Sequence, residues 1–379
     1  MLALVIALAA AGLIVIVSQP AASRLSSDFT INYSAGVLIR QGHLAAPYRQ
    51  AELGAMMRRV APDSAIDPRL PFSLPLAAGL PYAALSLLPL EVAFRLFQLV
   101  SIALLLLAVV LLQRALPLPP GAPRLAVLGL LAAVPTWASL TEGQPTAWLV
   151  LGGAMVVAAL GSPSLALAAG AGALLAVKPQ YLPAYLIILL AARRWRSLAA
   201  ASLGAGLFLL SPLAGGVGGM DAMVHNALSA NQAVPVRLNE AWIGLFGPAL
   251  DGAGTWVAIA LYLGVVAGLL MLAWRRPGPI IAFAALAGVL TSLASPHALP
   301  HDLLILALPA WLAIVLQRDG ALPNVIPGLL LIEFALLVDL RGVQVPVGPI
   351  AMTLVVAWYG WQFRQRAGQR RRPPIGRAA

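Results

Sequence analysis

Cysteine is absent from the 379 residues, lysine occurs once, at Lys178, and only 10% of the chain is charged. Without cysteine there is no disulfide, no thiolate metal ligand and no cysteine nucleophile, and the redox compartment leaves no trace in the sequence. A water-soluble domain carries about 25% charged residues. The shortfall here accompanies 61% hydrophobic residues and a mean hydropathy of +0.90, which no soluble fold could hide. The chain therefore reads as an integral membrane protein. There is also no P-loop, no dinucleotide glycine fingerprint and no Gly-x-Ser-x-Gly elbow, which removes the common soluble chemistries. No metal site and no cofactor are expected.

What is present is a net charge of +11, carried almost wholly by arginine. Many of these arginines lie in short connections and in the C-terminal segment, the pattern of topology signals and headgroup contacts. No basic stripe with interleaved aromatics marks a soluble face, which argues against a nucleic-acid partner. A bilayer also dictates secondary structure. Backbone polar groups must pair internally there, so long apolar runs form helices and the class is all-α.

Met1–Val17 followed by Gln19-Pro20-Ala21-Ala22-Ser23 resembles a signal peptide but lacks a basic leader, so an uncleaved first helix is expected. Residues 19–70 are the longest polar stretch, a first extracytoplasmic loop. Within it Ile31–Gly42 and Glu52–Val60 are expected as short helices lying along the interface. Phe72–Leu88 is apolar but broken by Pro75, Gly79 and Pro81, and reads as re-entrant or half-inserted. Crossings are expected near 91–113, 124–139, 145–160, 164–177, 179–192, 197–213, 255–274, 279–294, 302–317, 323–339 and 346–363, several of them shorter than the roughly 20 residues a span wants.

Placing Arg193, Arg194 and Arg196 in the cytoplasm brings Arg114, Arg124, Arg275, Arg276, Arg318 and the tail arginines Arg364, Arg366, Arg370, Arg371 and Arg372 to the same side. The result is a single domain over 1–363 with about 12 transmembrane helices and both termini cytoplasmic. A second extracytoplasmic loop covers 215–253, and 364–379 is a basic tail expected to be disordered. No internal repeat is evident.

The same count sends Asp28, Thr141-Glu142-Gly143-Gln144, Lys178-Pro179-Gln180 and Ser295-Pro296-His297 through His301-Asp302 to the outer face. Chemistry is expected there. Asp28 is either a solvated loop acid or a general base that takes a proton from a sugar hydroxyl. His297 and His301 are i, i+4, but Pro296 and Pro300 break the helix that a metal pair would need. That leaves an interfacial structural role, or acid/base work and phosphate contact. If Pro300 starts a helix, His301 sits in its first turn with the imidazole facing the outer aqueous pocket. Lys178 is an interfacial anchor or a contact to a lipid-linked phosphate, with Gln180 as a further donor. Glu142 and Gln144 bind sugar hydroxyls or cap the helix starting near Pro145. Arg237-Leu238-Asn239-Glu240-Ala241-Trp242-Ile243-Gly244 combines a cation, an amide and an aromatic, as sugar sites and interfacial loops both do.

In this order the residues resemble glycosyltransferase family 87. The resemblance runs from about Ser27 to about residue 320. It is carried by Asp28-Phe29 with the following Tyr33, by Gly42 with Pro47-Tyr48, by the proline-broken Pro71–Leu90, by Glu142-Gly143-Gln144, and by Lys178-Pro179-Gln180 before Arg193-Arg194-Trp195. Asn239 with Gly244, and Ser295-Pro296 with His301, complete it. The resemblance implies a multi-pass GT-C-type helical bundle that moves a hexose, typically mannose, from a polyprenyl-phosphate sugar to a lipid or glycan acceptor. It implies Asp28 and His301 as the acid/base centre and Lys178 near the donor phosphate. Tyr33, Glu142, Gln144, Gln180, Asn239, His297 and Asp302 then complete the substrate site, with the choice between His297 and His301 left open. The expected setting is a bacterial inner membrane, with the active site facing the periplasm or exterior and membrane lipids around the bundle. A transporter or flippase for a lipid-linked or anionic substrate is the alternative from another class.

Overall fold

The computed structural model describes residues 2–233, 238–247, 250, 253–275, 278–339 and 346–370. Arg237, Arg276, Arg371 and Arg372 lie outside them. Every regular element among the described residues is a helix, as the composition requires. Four helices are long and apolar enough to cross a membrane: Leu90–Ala115, Trp195–Gly215, Gly254–Trp274 and Pro300–Arg318. A fifth arises if Ala122–Ala132 and Val134–Glu142 act together across a 53° bend. Six more apolar helices of 10–17 residues accompany them. The expected crossings at 145–160, 164–177, 179–192 and 279–294 are thus helices, but each is shorter than a spanning helix. By length and composition four to five spans stand where about 12 were expected.

The bend has a local cause. Pro135 has no N–H to give, so the carbonyls of Leu130 and Leu131 lose regular helical partners. Thr136 Oγ1 donates to Leu130 O at 2.5 Å and Trp137 Nε1 to Leu131 O at 2.8 Å. The Val134 N–H, exposed by the break, donates to Glu333 Oε2 of the Ile326–Asp339 helix at 2.9 Å. The Leu130 and Leu131 carbonyls and the Val134 N–H thus regain partners, as a break in an apolar helix requires.

Asp28–Arg40 sits at the centre of the N-terminal half. It follows Ser27, which is extended, and all residues from Phe29 to Ile39 are buried. Its polar residues go inside cheaply because Thr30 Oγ1 donates to Leu25 O and Ser34 Oγ to Thr30 O. Phe29 packs on Tyr33, Tyr82, Phe94 and Phe97 with ring centroids 5.0–6.0 Å apart. Gly36 permits the Leu76–Leu85 helix to press against it, since a Cβ there would fall 2.4 Å from the Tyr82 carbonyl carbon. This helix is enclosed, where a helix lying along the interface was expected. Gln50–Val60 fits the interfacial expectation better: Leu53, Met56 and Met57 are buried while Glu52, Arg58 and Arg59 are not.

Two further regions differ from expectation. The 215–253 stretch contains the helices Val217–Ala233 and Trp242–Phe246. The first is pinned by Asn226, whose Nδ2 donates to Tyr48 O and Phe72 O at 3.1 Å each. The last helix, Gly348–Arg370, runs into the segment expected to be disordered. Arg366 holds it there by donating to Gly320 O and Leu322 O at 3.4 and 3.2 Å.

Candidate active site

The first turn of the Asp28–Arg40 helix meets the corner between Val134–Glu142 and Thr146–Gly161. Gly143 makes that corner in the left-handed region, at φ +66°. The reversal directs Gln144 back toward the first helix, where its Nε2 donates to Asp28 Oδ2 at 2.5 Å. Glu142 flanks the same spot, its carboxyl within hydrogen-bonding reach of the Asp28 backbone N–H. Asp28 is half-buried and Glu142 exposed, so solvent reaches a recess that carries two carboxyl groups.

A second group of residues converges from three other segments. Lys178 Nζ, at the corner after Leu165–Leu175, is ion-paired with Asp302 Oδ1. Asp302 is fully buried and sits in the 3-10 helix Pro300–Leu306, where its Oδ2 also accepts the Leu299 N–H at 3.1 Å. His301 Nε2 lies 3.6 Å from Asp302 Oδ1. Pro300 does start a helix with His301 in its first turn, but the imidazole is buried, where an outward-facing ring was expected. His297 is half-buried nearby, and the Gln180 amide reaches its carbonyl at 3.5 Å. Tyr262 Oη fixes the same corner by donating to Gln180 O at 2.7 Å.

Charge links the two groups. Burial pushes the Asp28 carboxyl above its ordinary value; the Gln144 hydrogen bond and the Lys178 ammonium pull it back, and the Asp302 charge adds to the rise. Burial likewise holds the His297 imidazole below its usual range, with Asp302 opposing and Lys178 reinforcing that effect. Lys178 and Asp302 therefore influence both Asp28 and His297.

Two candidates are committed to the scaffold. The Tyr33 hydroxyl donates to Leu88 O at 2.7 Å. The Asn239 amide is engaged on both ends by backbone: Nδ2 donates to Pro296 O at 3.0 Å, and Oδ1 accepts from Ala241 and Ala298 at 3.1 and 3.2 Å. The Glu240 N–H adds a bond to Ala298 O at 2.6 Å. Residues 239–241 thus strap the loop that carries His297. Tyr181, which the sequence gave no reason to choose, is fully buried with its phenol beside Ser295 and under the influence of Asp302. Among the described residues no three His, Asp or Glu side chains converge in a way that could hold a metal ion.

A helical membrane protein with an acid-bearing recess and a buried ammonium–carboxylate pair has the makings of an enzyme for polar substrates at a lipid boundary. The comparison with known families agrees. The model for glycosyltransferase family 87 matches residues 72–296, more than half the chain, and the chain belongs to that family. It is therefore a membrane glycosyltransferase. No curated protein and no solved structure matches it.

Proposed function

We propose that this glycosyltransferase moves a hexose, mannose by family type, from a polyprenyl-phosphate sugar to a lipid or glycan acceptor at the extracytoplasmic face of a bacterial inner membrane. In this reading residues 1–363 form one GT-C-type domain and the lipid-linked donor reaches the recess sideways from the bilayer. Asp28 removes the acceptor hydroxyl proton, and the oxygen attacks the anomeric carbon from the face opposite the phosphate. The C–O bond to the phosphate breaks, the configuration inverts, and the polyprenyl phosphate departs as an anion. Lys178 offsets its charge, and His301 with His297 stands on the same side for proton and phosphate contacts. Glu142, Gln144 and Gln180 hold sugar hydroxyls. Asp302 orients Lys178, while Tyr33 and Asn239 keep the surrounding backbone in place.

What supports this reading is the Asp28–Gln144 hydrogen bond together with the enclosed Lys178–Asp302 pair, whose two charges act on Asp28 in opposite directions. A general base is typically worth about 100- to 10,000-fold in rate. Asp28→Asn is expected to lower turnover by that range in purified protein supplied with a panel of polyprenyl-phosphate sugars, read as release of free polyprenyl phosphate. Because burial disfavours the Asp28 charge, the amide is expected to leave thermal stability at pH 7 unchanged or slightly higher. Full activity in a folded Asp28→Asn protein would remove the base assignment.

A further inference from the structure

A cavity lies among the C-terminal helices. It measures about 800 Å³ and runs between the helices Ile280–Ala294, Ala307–Arg318, Ile326–Asp339 and Gly348–Arg370. That volume is within the roughly 300–1,000 Å³ of small-molecule sites. Its walls are apolar except at one end, where Arg364 is the single charged residue among those lining it. Arg364 is exposed, whereas its neighbour Arg366 is engaged with the 320–322 turn. The one phenol in the wall, Tyr359, already donates to Asn324 O at 2.8 Å. At the other end stand Leu306, Ile332 and Met352, with no polar group. Leu272 and Trp361, both lining residues, are 42% and 51% exposed, so the cavity opens sideways.

We infer that this cavity binds an acyl chain of an anionic phospholipid, with the lipid phosphate on Arg364. The shape suits a flexible hydrocarbon, and Arg364, the one charged lining residue and without an ion-pair partner among the described residues, favours a negative headgroup. Trp361, a lining residue, and Trp358, tilted against it with ring centroids 5.3 Å apart, add the amphipathic rings that settle at headgroup level. The sugar donor fits poorly. Its phosphate must reach Lys178 and Asp28, yet the part of the cavity nearest the His301–Asp302 turn is lined by the apolar Leu306 and Met352 and offers no cation. The cavity is a second lipid site, distinct from the transfer centre and independent of the transfer mechanism.

The test is native mass spectrometry of the purified full-length protein after exchange into micelles doped with either phosphatidylglycerol or phosphatidylcholine. One phosphatidylglycerol per chain is expected to survive, with phosphatidylcholine retained several-fold less. Arg364→Gln, at an exposed position, is expected to reduce phosphatidylglycerol retention about fivefold, the effect of one arginine at an anionic surface. Ala313→Phe, or separately Ala282→Phe, fills the cavity and is expected to abolish retention of both lipids. Equal retention of the two lipids, unchanged retention in Arg364→Gln and in both filled variants, or displacement of the lipid by polyprenyl phosphate overturns the inference. Sugar transfer assayed on the same preparations reports separately on the transfer centre.

Discussion

Breaking the Lys178–Asp302 pair gives the sharpest energetic test of the site. The Lys178 side chain is 10% exposed and that of Asp302 is 0% exposed. Removing one partner from so enclosed a pair leaves an uncompensated charge, at a cost of about 3–5 kcal/mol. Asp302→Ala is expected toward the upper end, because Lys178 has no other carboxylate bonded to it among the described residues. Lys178→Met is expected toward the lower end, since Asp302 keeps the Leu299 N–H and the nearby His301 ring. The double variant Lys178→Met/Asp302→Leu carries neither charge, and buried pairs replaced by apolar residues are often neutral. It should therefore be more stable than either single variant, not less. The assay is reversible unfolding of the purified protein in an SDS titration followed by tryptophan fluorescence, with turnover measured alongside. On the proposed mechanism all three variants are expected to be inactive, because each disturbs the Lys178 ammonium. If the two single costs simply add in the double variant, the pair is not a buried electrostatic unit and the reasoning fails.

Three other substitutions probe the same architecture. Gln144→Leu removes a hydrogen bond that lowers the Asp28 pKa; since Asp28 must be ionised to act, the acid limb of the pH–rate profile should move to higher pH, and an unmoved limb would count against Asp28 as base. Glu240 is pushed up to about 9, first by burial and then by the neighbouring Asp339. The folded state thus holds a proton that the unfolded chain releases above its ordinary value near 4.5, so stability should fall as pH rises toward 9. Glu240→Gln should flatten that fall in melting temperatures recorded from pH 5 to 10. Gly143→Ala forces a left-handed alanine, costing about 1–2 kcal/mol, and sets its Cβ 2.5 Å from Phe29 Cβ. A larger total loss of stability and a displaced Gln144, seen as weaker turnover, are both expected.

Much of the helical framework was legible because its signals are local. The apolar run at 91–113 emerges as Leu90–Ala115, and Pro300 marks the helix start before His301. Counting crossings places Asp28, Gln144, Lys178 and the 297–302 segment on one face; the structure bonds Asp28 to Gln144 and Lys178 to Asp302, with four to five full spans instead of about 12. What stayed hidden depends on partners far away in sequence. Asp302 was expected at the substrate, and nothing near it in sequence announces Lys178, 124 residues earlier, as its partner. Asn239 reads as a sugar ligand because nothing nearby announces that its amide will serve the 296–298 backbone. The burial of Phe29–Ile39 was missed for a different reason. Thr30 and Ser34 suggest a wet face, but their hydroxyls bond back to the helix and its preceding turn, so they enter the core without penalty.

The enclosure of Asp28–Arg40 bears on how the enzyme is made. Its principal neighbours, including the 46–48 turn and the helices Gln50–Val60, Leu76–Leu85 and Leu90–Ala115, all lie within the first third of the chain. Contacts of short sequence separation form early, so the helix bearing Asp28 is seated while most of the protein is still on the ribosome. Lys178 and Asp302 arrive later and must find each other across a long interval. Assembly thus seats the helix that carries Asp28 before Gln144, Lys178 and Asp302 take their places.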